Sequence, residues 1–185
     1  MMSTRGLAAA AAGALALQPI TAEAQQACVT EAEVGAIAIY SVPSLVQAVR
    51  LRCGSELSAN GYIARRSANL SGRYAALQPQ VWPRAKSGML KILGSGAALG
   101  SEAGAAQGRQ LLDSVDSLPD EAVRPLVDAW LMQEASARIP LQNCQRIEWV
   151  VEAVAPIDPE VAGGLIGAIV GLVDPTKMPV CPRRA

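Results

Sequence analysis

The chain contains no histidine and no phenylalanine, and Tyr40, Tyr62, Tyr74, Trp82, Trp130 and Trp149 are its whole aromatic complement. Without an imidazole there is no Ser-His-Asp or Cys-His machinery and no His-ligated zinc, so several common hydrolase designs are excluded. A core poor in rings must be filled by Ala, Leu, Val and Ile, which suits closely packed helices better than a β-sandwich. The chain also lacks a Cys-x-x-Cys pair, and with it the usual spacing of a thioredoxin-type or zinc site. No apolar run reaches the roughly 20 residues of a membrane-spanning helix. The chain has no net charge either, with 16 basic and 16 acidic side chains, which removes a general attraction to nucleic acid or acidic membranes.

What is present begins with MMSTRGLAAAAAGALALQPITAEAQQ. A basic start at Arg5, an apolar run from Leu7 to Leu17 and the small-residue exit Ala22-Glu23-Ala24 predict a secretory signal peptide over residues 1–24, with cleavage after Ala24. The mature protein then starts near Gln25 in the periplasm or outside the cell. Removing the leader takes Arg5 and Glu23 with it and leaves 15 charges of each sign. They are unevenly placed: residues 25–95 carry eight basic and three acidic side chains, residues 96–185 seven and twelve.

Helical punctuation recurs along the mature chain. Thr30-Glu31-Ala32-Glu33 fits a capping box and predicts a first helix over Glu31–Tyr40. Ser41 and Pro43 open a second, whose stripe Leu45, Val46, Val49 and Cys53 stops at Gly54. Ile63, Ser67, Leu70, Tyr74 and Leu77 share one face in a four-three rhythm, with Arg65, Arg66, Asn69 and Arg73 elsewhere, so an amphipathic helix is expected until Pro79 and Pro83 interrupt it. Further helices are predicted from Arg84 to Leu93, through Val123–Trp130 with Pro125 beginning or bending it, around Ile147–Val154, and from Pro159 to Val173 behind the Asp158 cap. No strand alternation appears. The fold class is all-α, a small bundle of about six helices built from helical hairpins, in a single domain over residues 25–185: a basic half (25–93), a glycine-rich connector (94–108) and an acidic half (109–185).

Cys28, Cys53, Cys144 and Cys181 are an even set in an exported chain and predict two disulfides, with three pairings open. Closing the open end of two helical hairpins favours Cys28–Cys53 and Cys144–Cys181. The layout ACVT after the leader, NCQRIEWVVEAV and MPVCP resembles uncharacterised secreted four-cysteine helical proteins of Gram-negative bacteria. The resemblance implies a periplasmic protein and carries no site residues.

Two glycine ladders stand out. Gly94-Ser95-Gly96-Ala97-Ala98-Leu99-Gly100 imitates a dinucleotide-binding loop but has no βαβ unit around it, so Gly96, Gly100, Gly104 and Gly108 read as part of a connector. Gly163, Gly167 and Gly171 lie in a run from Val161 to Val173 that is wholly apolar or glycine; this reads as a buried central helix packed closely at its glycines.

Two groups of side chains are candidates for function. The carboxylates Asp113, Asp116, Asp120 and Glu121 lack the regular spacing of a calcium loop. The basic stretch Arg65, Arg66, Arg73, Arg84 and Lys86, with Trp82 among them, offers charge and stacking to an anion. The reading that follows is an exported, non-enzymatic helical protein, without a cofactor or metal, that binds an envelope protein or an anionic envelope component. The alternative is an envelope hydrolase working with carboxylates alone.

Overall fold

The computed structural model describes residues 28–95, 118–172 and 180–181. The predicted leader, most of the glycine connector, and Asp113 and Asp116 lie outside the described residues. Among the described residues there are six α-helices: α1 (Glu31–Cys53), α2 (Tyr62–Ala75), α3 (Gln78–Gly94), α4 (Asp120–Arg138), α5 (Cys144–Val154) and α6 (Pro159–Val170), with a 3-10 turn at Leu141–Asn143 before α5. Two disulfides staple them, so the chain is a small all-α bundle that suits an oxidising environment of the kind exported proteins meet.

The capping box forms as read: Glu33 N–H donates to the Thr30 hydroxyl at 3.1 Å, and Thr30 N–H donates to the Glu33 carboxylate at 2.8 Å. The helix it starts is longer than expected. Pro43 does not separate two helices but lies inside the 23-residue α1. A proline this deep in a helix removes an amide donor and crowds the preceding turn; α1 tolerates it at the centre of the bundle, where α2, α3, α4 and α6 all pack on it. The Ser41 hydroxyl donates to the Ile37 carbonyl at 2.7 Å, and the Gln78 carboxamide reaches the Tyr40 carbonyl at 3.0 Å. By length and composition α1 could cross a membrane; here it is the core helix.

That length overturns the expected pairing of cysteines. Cys28 precedes α1 and Cys53 ends it, which sets them more than about 30 Å apart at 1.5 Å per residue, against a limit near 7 Å between bridged Cα atoms. The bridges are instead Cys28–Cys181 and Cys53–Cys144, with Cα atoms 4.9 and 5.5 Å apart. Each joins the basic half to the acidic half rather than closing a hairpin within one. Beside the first bridge, Val29 and Val180 form a short parallel β-bridge, and Cys181 N–H donates to the Val29 carbonyl at 2.9 Å.

Pro83 likewise lies within a helix, because α3 begins at Gln78 with Pro79 in its first turn, where a missing N–H costs little. Pro125 sits inside α4, one turn past its start at Asp120. The α2 stripe is as read over its first four members: Ile63, Ser67, Leu70 and Tyr74 are buried, with Leu70 and Tyr74 packing on Ile39 and Val46 of α1, whereas Leu77 falls beyond the end of α2 at Ala75 and leads into α3.

The expectation for the last helix divides. α6 does pack closely at its glycines: Gly163 and Gly167 meet Glu31 and Gly35 of α1, and a Cβ on Gly35 would stand 2.8 Å from the Gly163 carbonyl oxygen. It is not buried on every side. Val161, Leu165, Ile169 and Leu172 are exposed, Leu172 to 82%, because a helix docked through a glycine ridge sinks one narrow face and leaves the others outside.

Candidate anion-binding groove

α2 opens after Gly61, an extended residue whose missing side chain leaves the first amides of the helix without a local cap. Glu148, on α5 and 6% exposed, supplies one from across the bundle. Its Oε1 accepts from Ile63 N–H at 2.9 Å. A Cβ on Gly61 would stand 2.8 Å from Glu148 Oε2 and closer still to Oε1, so glycine is required there for the carboxylate to enter. This long-range cap fixes α2 against α5. Nothing in the local sequence announces it, since the partners are 85 residues apart.

With Ile63, Ser67, Leu70 and Tyr74 turned inward, the other side of α2 carries Arg65, Arg66, Asn69 and Arg73. These four, with Asn60, Gly61 and Tyr62, line an open groove of about 460 Å³ whose far wall is Glu152, Ala155 and Pro156 at the end of α5. The Arg73 guanidinium donates to the Ala155 carbonyl, where a cation also meets the negative end of α5, and its Nε has no hydrogen-bond partner. Among the described residues the ion pairs are Lys86–Asp120, Lys91–Glu33 and Arg138–Glu134; neither Arg65 nor Arg66 takes part in one. Among the described residues one carboxylate, Glu152, lines the groove.

Three of the expected anion-binding residues therefore converge and three do not. Trp82 is fully buried, with its ring 4.9 Å from that of Tyr40 and the Arg124 guanidinium 5.2 Å above it. It is a core residue and cannot stack on a ligand, because the bundle has few other rings with which to fill the space between α1 and α3. Lys86 is engaged with Asp120 at 3.1 Å. The adjacent Trp82 indole N–H, although outside hydrogen-bond geometry, and the paired Lys86 hold the Asp120 carboxyl below its ordinary value, and the Lys86–Asp120 pair ties α4 to α3. Arg84 is exposed on α3 and does not line the groove. Glu121 is exposed in the first turn of α4, where it favours the helix start. Asn60, Asn69 and Glu152 were missed, since only the packing of α2 on α5 brings them together.

Glu33 is buried, and its carboxylate accepts from Ser87 at 2.7 Å, from Lys91 at 2.7 and 3.0 Å, and from the Thr30 amide and hydroxyl at 2.8 and 3.0 Å. Burial pushes its pKa up, but Lys91, the Thr30 amide and the two hydroxyls outweigh burial and hold it at about 2. A second cavity, about 320 Å³, lies between Pro43, Ser44 and Gln47 of α1, Gln78 of α3 and Asp128, Ala129 and Met132 of α4. There the Ser44 hydroxyl donates to Asp128 at 3.3 Å. The Tyr40 phenol nearby is pushed well above its ordinary value, first by burial and then by the charge of Asp128.

No protein-family model matches the chain, and comparison with curated proteins and with solved structures finds no match either.

Proposed function

We propose that this chain is an exported, non-enzymatic helical protein of the periplasm or cell exterior that binds an anionic envelope component in the groove between α2 and α5. The observation that carries the reading is the convergence of Arg65, Arg66 and Arg73 on one open groove, faced among the described residues by a single carboxylate. Two cations elsewhere, Lys86 and Lys91, are each paired to an acid. Among the described residues Arg65 and Arg66 form no ion pair, and guanidinium is the side chain suited to bidentate capture of carboxylate or phosphate. The disulfides and the leader-like start support export. Among the described residues the groove has one carboxylate and three arginines, a lining better suited to holding an anion than to the paired acids of a hydrolase.

The test is equilibrium binding of the oxidised mature protein to a sulfated or carboxylated polysaccharide, by titration calorimetry at low and moderate salt. Binding should weaken at least tenfold in the Arg65→Ala, Arg66→Ala double variant, with the melting temperature and helical content unchanged. Undiminished binding by that variant, or none by the parent, refutes the assignment.

A further inference from the structure

The groove runs along a helix, and this restricts the shape of its ligand. Tyr62, Arg66, Asn69 and Arg73 follow one another at helical spacings of four, three and four, and all line it. At 1.5 Å per residue the row is about 16 Å long, with Arg66 and Arg73 about 10 Å apart along the axis. The cations thus stand at two stations, Arg65 with Arg66 at one and Arg73 at the other, with the neutral carboxamide of Asn69 between them. A compact anion can satisfy only one station.

We infer that the groove takes an acidic polysaccharide, one that carries a carboxylate on every second sugar ring. This rests on the reading of the groove as an anion site. In such a chain successive carboxylates are separated by a neutral, hydroxyl-rich ring, so one can lie on Arg65 and Arg66 and the next on Arg73. The intervening hydroxyls fall to Asn69, whose carboxamide both donates and accepts, while Asn60 and Tyr62 continue the row beyond the first station. The Tyr62 ring presents an apolar body with a polar tip, suited to the face and edge of a sugar.

Phosphate chemistry is less well served. The seat that helix geometry offers a phosphate is the N-terminus of α2, and Glu148 already occupies it, accepting from Ile63 N–H at 2.9 Å. A bilayer surface is flat, and the cations here lie in a groove. An acidic peptide is the closest rival, but its backbone needs free amides and carbonyls along the walls, and between the two cationic stations the groove is walled by α2, whose mid-helix backbone groups are bonded within the helix.

The experiment is calorimetric titration of the oxidised full-length mature protein with a ladder of oligosaccharides alternating uronic acid and neutral sugar: di-, tetra- and hexasaccharide. Polyglutamate, inorganic phosphate and vesicles containing anionic lipid form the comparison arms. Affinity should rise at least tenfold from di- to tetrasaccharide, where a second carboxylate first becomes available, and little further for the hexasaccharide. Arg73→Gln should abolish that rise while leaving disaccharide binding in place, and Arg66→Gln should weaken both. Because Arg73 also contacts α5, Asn69→Ala serves as a second variant: it should weaken the tetrasaccharide with no loss of Arg73's contact. Equal affinity for di- and tetrasaccharide, or equal or tighter binding of polyglutamate, phosphate or vesicles, overturns the polysaccharide reading and leaves the anion groove standing. No binding of any anion, or binding indifferent to Arg66→Gln, overturns both.

Discussion

Adding one methyl group to Gly167 and to Gly164 should change stability in opposite directions. Both residues lie within α6, and in an isolated helix either change to alanine would be favourable by about 1 kcal/mol. Their surroundings differ completely. A Cβ on Gly164 meets nothing within 4 Å, whereas one on Gly167 falls deep inside the contact distance of the Glu31 carbonyl oxygen, 3.1 Å from its carbon and 3.4 Å from Gly35 N. The obstruction is the backbone of α1, which cannot rotate away as a side chain would. Overpacking typically costs 1–3 kcal/mol, and rigid backbone puts this case near the upper end, so Gly167→Ala should lose about 2 kcal/mol after the propensity gain. For a chain of this size that is a fall in Tm of about 4–8 °C, against a rise of about 2–4 °C for Gly164→Ala. Urea and thermal unfolding of the oxidised proteins, followed by circular dichroism, measure both. A neutral or stabilising Gly167→Ala would mean that α6 does not meet α1 through its glycines, and a loss in both variants would mean that the glycines matter for some property other than space.

Three further outcomes are expected. Non-reducing peptide mapping should recover Cys28–Cys181 and Cys53–Cys144, and replacing Cys53 and Cys144 by alanine should cost about 2–5 kcal/mol; recovery of Cys28–Cys53 would show that α1 is broken at Pro43. Glu33, whose ordinary pKa of 4.5 is lowered to about 2, stabilises the fold above its unfolded pKa, and that contribution should fade as pH falls from about 5 to about 2. Allowing for partial screening, the gap between parent and Glu33→Gln should be about 2–3 kcal/mol at pH 7 and close to nothing at pH 2, and a gap independent of pH in urea titrations would count against the network. Glu148→Ala, which leaves the buried Ile63 amide without its acceptor, should cost about 1–3 kcal/mol, and amide exchange at the start of α2 should accelerate more than exchange in α3.

What the sequence disclosed was local, and what it concealed was decided by neighbours. The face of α2 was legible because Ile63, Ser67, Leu70 and Tyr74 repeat at the helical period, and the Thr30–Glu33 box because both partners lie within one turn. Pro43 misled for a physical reason: its penalty is local, but the packing that offsets it comes from four helices remote in sequence. The cysteine pairing followed that error, since dividing α1 in two places Cys28 beside Cys53, and one continuous helix drives them apart. Trp82 was misread as a surface ring for a similar reason. Its flanking Arg84 and Lys86 describe the outer side of α3, and the indole points the other way, into Ala36 and Tyr40.

The arginines of the groove also settle where the charge asymmetry of the chain goes. A surplus of basic residues before residue 96 and of acidic residues after it suggests halves held by attraction, yet among the described residues only the Lys86–Asp120 pair crosses from one half to the other. Lys91–Glu33 and Arg138–Glu134 each lie within a single half. Three acids of the second half are turned instead toward backbone and hydroxyl donors. Glu148 accepts from Ile63, Asp158 caps α6 through the amides of Glu160 and Val161, and Asp128 takes the Ser44 hydroxyl. What joins the halves is apolar contact between α1 and α4, the glycine approach of α6, and both disulfides. The association should therefore survive high salt, because exposed ion pairs are screened over about 10 Å at 0.1 M and buried contacts are not. Among the described residues Arg65 and Arg66 of α2 take part in no ion pair. Salt should accordingly separate stability from the proposed anion binding: raising it to 1 M should leave the urea midpoint almost unchanged while reducing any polyanion affinity several-fold, and a parallel fall in both would show that the arginines are holding the bundle together.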